Sequence, residues 1–463
     1  MFHSLLADLF NSLGYEKEEG LCHGFSLRWI EAMMLGEQEI NTFIERINII
    51  QNEKDVLVDL FNQVKTSNWK NLAEQDKRKL LDIHAFFDSL ALFQGPGEYA
   101  KVFDACVNQF NINLTSSLAS SEAIQSLGGL ESIFSEPGIY NQSELTQYLE
   151  KLGAAFESSG ITETIGMLLS NHNHTIGLCY TPGEGWAFMD INQYPPEPYQ
   201  FNETHLLSNK IRLAFGRNMH TALCMHVITT GGNQKKVSLQ EVLDAVKKNF
   251  VLKNDIFAGD VSVTDLAYIA AQNGHVEVIK ELAKHDVDLN KATEDGITPA
   301  IVAAHNGHVG VIKELAKHKA DLNKANKNGA TPAYIAAQNG HVEVIKELAK
   351  HKADLNKAMK NGATPAHIAA YNGHFEVVQV INATQNNKSF IFNALQAISA
   401  LGIMAAVVAL IAAATFVSGA ALACISILAV AVGGISLFGL FGQYGFRGNP
   451  SDQASYTNLK SIP

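Results

Sequence analysis

Hydrophobic and polar residues follow several rhythms along the chain. Between about residues 30 and 160, apolar positions recur every three to four residues. IERINIIQNEKDVLVDLFNQV and QDKRKLLDIHAFFDSLALF are examples, and both predict amphipathic helices. The opening stretch, MFHSLLADLFNSLGYEKEE, keeps the same period and reads as a further amphipathic helix. It lacks the basic stretch and small-residue cleavage site of a signal peptide. From residue 161 the rhythm shortens. HTIGLCY (174–180), WAFMD (186–190) and TALCMHVITT (221–230) predict strands, with Thr181–Gly185 as the hairpin loop between the first two. Helices first and an antiparallel sheet later make an α+β domain over residues 1–234.

The next stretch repeats. Asn-Gly-His occurs at 273–275, 306–308, 339–341 and 372–374, a strict step of 33 residues, and Thr-Pro recurs at 298–299, 331–332 and 364–365. Thr-Pro suits a helix start, because proline there gives up an N–H that would have no partner anyway. The small pair Ala303-Ala304 lets two helices approach closely, and Val309, Val311, Ile312 and Leu315 have the spacing of one buried helical face. The pattern resembles the ankyrin repeat, whose period is 33 residues. It covers four units over about 255–383, within a domain spanning 235–383. Its histidines His275, His308, His341 and His374 are read as structural. The first unit has Asp265-Leu266 in place of Thr-Pro, as a terminal unit would, and residues 236–253 are expected to form a helix covering its apolar face.

From Ser389 onward, 58 residues pass before the next charge at Arg447. Residues 398–417 and 420–441 each match the roughly 20 apolar residues that span a bilayer. Two readings of residues 384–446 stand: a membrane hairpin with both ends on one side, or a water-soluble helical hairpin packed on the rest of the chain. Residues 447–463 are a polar tail.

Charge sharpens the picture. Residues 1–234 hold 14 basic and 28 acidic side chains, while 235–383 hold 18 and 17. An acidic first domain argues against a nucleic-acid partner there, because phosphate binding runs on Lys and Arg. Five scattered cysteines, Cys22, Cys106, Cys179, Cys224 and Cys424, contain no C-x-x-C pair. They form neither a disulfide framework nor a zinc site, and they suit a reducing compartment.

Cys22 stands out. Helix-forming residues follow it in GLCHGFSLRW, so it sits near a helix N-terminus, where backbone N–H groups favour a thiolate. A thiolate nucleophile needs an imidazole, and the imidazole needs an orienting acceptor. His174 opens the first predicted strand and Asp190 closes the second, so a hairpin brings the two side by side. His172, two residues earlier, competes for the role of base; His174 is preferred because it leads directly into the strand.

This order resembles papain-like cysteine proteases, and most closely the YopT/AvrPphB-like effector proteases. Gly20, Cys22, Gly24, Phe25, Ser26 and Trp29 match that family's nucleophile motif, His174-Thr175-Ile176 its second, and Phe188, Asp190 and Asn192 its third. The glycine usual after that asparagine is replaced by Gln193-Tyr194. The resemblance implies Cys22 as nucleophile, His174 as general base and Asp190 as its orienter, with no cofactor. The Cys22 N–H is read as part of the oxyanion site and Asn11 as the weaker side-chain candidate. The expected fold is an α+β papain-like cysteine protease domain, an α-solenoid of ankyrin repeats and a C-terminal hydrophobic helical hairpin.

The combination is also similar to the AnkH-like ankyrin-repeat effectors of Legionella. That implies secretion by a bacterium into a host cell, a host protein bound by the repeats, and contact with a membrane through residues 398–441. Repeats of this kind are typical substrates of the host asparaginyl hydroxylase at the Asn of Leu-x7-Asn, a setting shared by Asn290, Asn323 and Asn356. Two function classes follow: a thiol peptidase guided by its repeats, or a non-catalytic adaptor whose first domain is a pseudoprotease.

Overall fold

A computed structural model describes residues 2–15, 21–67, 69, 72–96, 111–216, 220–233, 236–247, 261–285 and 287–384. Gly20, Cys106, Cys424, the 398–441 hairpin and the polar tail lie outside the described residues.

The periodic N-terminal half folds as helices α1 (Phe2–Ser12), α2 (Cys22–Leu35), α3 (Glu37–Asn52), α4 (Lys54–Ser67), α5 (Glu74–Gln94), α6 (Ile112–Ala119) and α7 (Glu122–Ser126). A strand follows earlier than expected, β1 (Leu130–Tyr140), then α8 (Gln142–Ser158). Asn141 and Glu144 start α8 with a reciprocal capping box, each side chain accepting the other's backbone N–H. The sheet continues with β2 (Ile165–Ser170), β3 (Thr175–Thr181), β4 (Gly185–Met189), β5 (Glu197–Tyr199), helix α9 (Thr204–Ala214) and β6 (Thr221–Thr230). The described strands form one antiparallel sheet in the order β1-β6-β2-β3-β4-β5. The β3–β4 hairpin turns where expected, pairing Thr181 with Gly185.

Both faces of the sheet are covered, and strand alternation divides the core in two. One face sends Leu168, Cys179, Met189 and Ile228 against α1, α2, α3 and α5. The other sends Met167, Leu178, Tyr180, Trp186 and Met225 against Leu145, Leu149, Leu152 and Phe156 of α8 and Leu207 and Ile211 of α9. Helix α10 (Lys236–Lys247) belongs to this second layer: Leu239 and Leu243 pack there, and the helix lies on α8 and β1. Its described residues thus pack on the sheet domain, where the sequence suggested a cover for the first repeat; residues 248–253 lie outside the described residues.

The repeats follow as α11 (Val261–Gln272) with α12 (Val276–Lys284), α13 (Pro299–His305) with α14 (Val309–Lys317), and α15 (Pro332–Gln338) with α16 (Val342–Lys350). Thr298 and Thr331 cap their helices by accepting the N–H of Ile301 and Tyr334 at 3.2 Å, with proline at the first turn. His308 Nε2 reaches the Gln272 carbonyl at 2.9 Å and His341 Nε2 the His305 carbonyl at 2.8 Å, so each ties its unit to the preceding one. The first unit has no earlier unit to hold. Its helix begins before Asp265 and packs on β6 and β1, and His275 Nε2 instead meets Ser135 Oγ of β1 at 3.1 Å. A second compact unit begins at Ala366; there α18 (Phe375–Thr384) buries Val377, Val378 and Ile381, behind the helix α17 (Pro365–Tyr371).

Candidate active site

The site forms where α2 begins beneath β3 and β4. Cys22 is the first residue of α2. Three residues of the nucleophile motif fix that helix in place. Gly24 lets the α5 backbone come so close that an added Cβ would lie 2.5 Å from the Leu90 carbonyl oxygen. Ser26 Oγ donates to the Thr175 carbonyl of β3 at 3.4 Å. The Trp29 ring fills the space left by Gly177 of β3, where a Cβ would lie 2.7 Å from the indole. Through these contacts the start of α2 is registered against the strand that His174 opens.

His174 ends a tight turn. The Asn171 Oδ1 accepts the N–H groups of Asn173 and His174 at 3.1 and 2.9 Å, and the Asn171 N–H donates to the His174 carbonyl at 3.0 Å. The His174 Nε2 lies 3.0 Å from Asp190 Oδ1, which directly follows β4. The Cys22 thiol is the imidazole's other polar neighbour. Phe215 stands edge-on to the ring, with centroids 6.0 Å apart. Burial disfavours the imidazolium, but the hydrogen bond to Asp190 and the nearby Cys22 sulfur outweigh it and raise the His174 pKa to about 9.

Asp190 is 1% exposed, and burial alone would raise its pKa. The His174 bond, the Asn192 N–H at 2.9 Å and the Gln193 amide at 3.1 Å reverse this and hold it below the usual carboxylate range. Gln193 is thus a further support of the carboxylate. Its own oxygen accepts from Lys210 Nζ at 3.3 Å.

The N–H groups of the first turn of α2 are almost all accounted for. Leu21 N–H donates to His3 Nε2 at 3.4 Å. His23 and Gly24 N–H donate to Gln94 Oε1 at 3.1 and 3.3 Å, and Phe25 N–H to the Leu21 carbonyl at 3.0 Å. The Cys22 N–H has no partner among the described residues, and neither does the Gln94 side-chain NH2. Asn11 does not enter: it is exposed and lies eight residues, about 12 Å of helix, beyond His3 on α1. His172 does not touch the triad partners either; its ring stands edge-on to Tyr268 of the first repeat, with centroids 6.0 Å apart.

Sequence reasoning missed Gln94, Gln193, His3 and Phe215. Only Asn171 carried a local signal, the turn-forming Asn-His-Asn-His. Among the described residues no group of three or more His, Cys, Asp and Glu gathers to hold a metal ion. No described helix is long and apolar enough to cross a membrane.

The repeat geometry agrees with comparison to known families. A family model for ankyrin repeats, in three copies, matches residues 238–326 and 318–390. This stretch is an ankyrin array. No curated protein matches the chain. Ankyrin repeats generally bind other proteins, and the two asparagines Asn290 and Asn323 stitch the array's units together. Their Oδ1 atoms accept the N–H of Asp321 and Asp354 in the next unit, each at 2.6 Å. Asn356 is exposed.

Proposed function

We propose that the first domain is a papain-like thiol peptidase whose protein substrate is selected by the ankyrin array. One observation carries the reading: the His174 imidazole is hydrogen-bonded to the Asp190 carboxylate and lies beside the Cys22 sulfur at a helix N-terminus, near two donors without partners. The Cys22 thiolate attacks the peptide carbonyl, and the carbonyl oxygen gains the negative charge. The Cys22 N–H and the Gln94 amide stabilise that charge. The His174 imidazolium then protonates the leaving amine, which departs and leaves an acyl-thioester. Water, deprotonated by His174, releases the acid and restores the thiol. Asp190 holds the imidazole in register throughout.

The proposal extends to context. The substrate is a host protein, the chain acts in a host cell after secretion by a bacterium, and residues 398–441 bring it to a membrane. Asn290, Asn323 and Asn356 are the residues offered to a host asparaginyl hydroxylase.

Labelling with iodoacetamide tests the chemistry. Cys22, 8% exposed, reacts far faster than Cys179 and Cys224, both fully buried, and His174→Ala removes the advantage. Gln94→Ala lowers turnover of a cleaved protein roughly 100- to 1000-fold, far more than it slows labelling. Equal slow labelling of all three thiols would dismiss the peptidase, as would a Cys22→Ala chain that keeps its effect in cells; the protein would then be an adaptor.

A further inference from the structure

The base-bearing turn has two faces. One presents His174 to Cys22 and Asp190; the other presents His172 to the ankyrin array. The His172 ring meets the ring of Tyr268 edge-on, with centroids 6.0 Å apart, an arrangement favoured between aromatic rings. Tyr268 is 4% exposed and lies on α11, the first helix of the first repeat. One period later the same position holds Ile301, and two periods later Tyr334, both buried within the array. In the first unit this packing position is turned over to the turn that carries the base.

Helix α11 is itself anchored to the sheet. It packs on β6 and β1, and its following corner docks there through His275 on Ser135. Asn273 of the same corner lies beside His226 of β6, a buried histidine. The tyrosine is therefore delivered from a fixed platform to His172, two residues of chain from the His174 imidazole.

We infer that Tyr268 is a positioning residue for the base: by bracing His172 it holds the Asn171–His174 turn so that His174 reaches Cys22 and Asp190 together. The array is thus a structural part of the catalytic machinery as well as a binding surface. This rests on the peptidase reading above. It adds that the array's first helix sets the chemistry of the cleft, independently of any substrate the array binds.

The test uses the full chain with Tyr268→Ala, Tyr268→Phe and His172→Ala, and two readouts. One is the rate of Cys22 alkylation as a function of pH; the other is the titration of the His174 ring protons by NMR. Misplacing a catalytic group by about an ångström costs on the order of a hundredfold, so Tyr268→Ala labels Cys22 roughly tenfold to a hundredfold more slowly at neutral pH. Its His174 midpoint falls from about 9 toward the ordinary value. Tyr268→Phe, which keeps the ring, retains the parent rate and midpoint. His172→Ala, which removes the contact from the other side, reproduces the alanine result and decides the matter if Tyr268→Ala does not fold. A folded Tyr268→Ala or His172→Ala chain with the parent labelling profile and ring midpoint would overturn the inference. So would a Tyr268→Phe chain as impaired as the alanine variant. Ring titration is read whether or not any peptide is cut, so a parent chain without peptidase activity removes the peptidase reading and leaves this test intact.

Discussion

His174 gathers opposing forces into one ring. Burial disfavours its charged form, while a carboxylate on one side and a thiol on the other favour it, and the latter prevail. The sign of the resulting pH dependence follows. Its folded value, about 9, lies above the ordinary 6.5, so the stabilisation is complete below 6.5 and fades as pH rises through 9. Asp190→Asn keeps a hydrogen-bond acceptor but removes the charge. Thermal midpoints measured from pH 6 to 10 should therefore fall more steeply for the parent than for Asp190→Asn, which starts lower. Parallel curves would show that the carboxylate contributes nothing specific to the ring. Gln94 and Gln193 show a quieter residue-scale logic. Each amide spends its oxygen or nitrogen on holding a neighbour, and in Gln94 one end remains for an incoming group.

At the scale of elements, the site depends on how closely α2 lies against α5 and β3. Gly24 and Gly177 are glycine because backbone and indole occupy the space a methyl would need. Gly24→Ala must push α5 away from α2, at about 1–3 kcal/mol, the usual cost of overpacking. A urea midpoint shows the loss, and slower Cys22 alkylation accompanies it because the helix start has moved; an unchanged midpoint would contradict the close approach. The motif around Cys22 was legible in the sequence because each of its residues does a local job. The strand ends His174 and Asp190 were legible because a short hairpin leaves little freedom in where its ends meet. Other elements hid for physical reasons. The Glu136-Pro137 pair and the serines of β1 break the alternation that marks a strand. In β2, IGMLLS is buried on both faces, and a short apolar run of that kind reads equally well as helix. Helix α10 carries an apolar face that suits either neighbour, and only the fold chose α8. Gln94 lies at the end of a long helix and meets α2 only after folding.

At the scale of the molecule, the array's first unit meets the α+β domain through a polar contact, His275 on Ser135. Within the array, Asn290 and Asn323 are already committed to bonds across unit boundaries at 2.6 Å. If a host hydroxylase acts on them, it must first open the turn that holds them. Expression in human cells should then add oxygen to Asn356, which is exposed, more completely than to the other two. Intact mass with peptide mapping reads the order. Equal occupancy at all three would mean that the turns open freely, and no added oxygen would remove the modification altogether.

The docking of His275 on Ser135 has one more implication. The sheet stands where a preceding unit would, so the array is closed at that end and open to change only at the other. Duplication or loss of later units lengthens or shortens the reach toward a partner without disturbing the cleft, whereas deletion of the first removes its buttress. A lineage built this way can exchange binding partners while keeping its first domain intact.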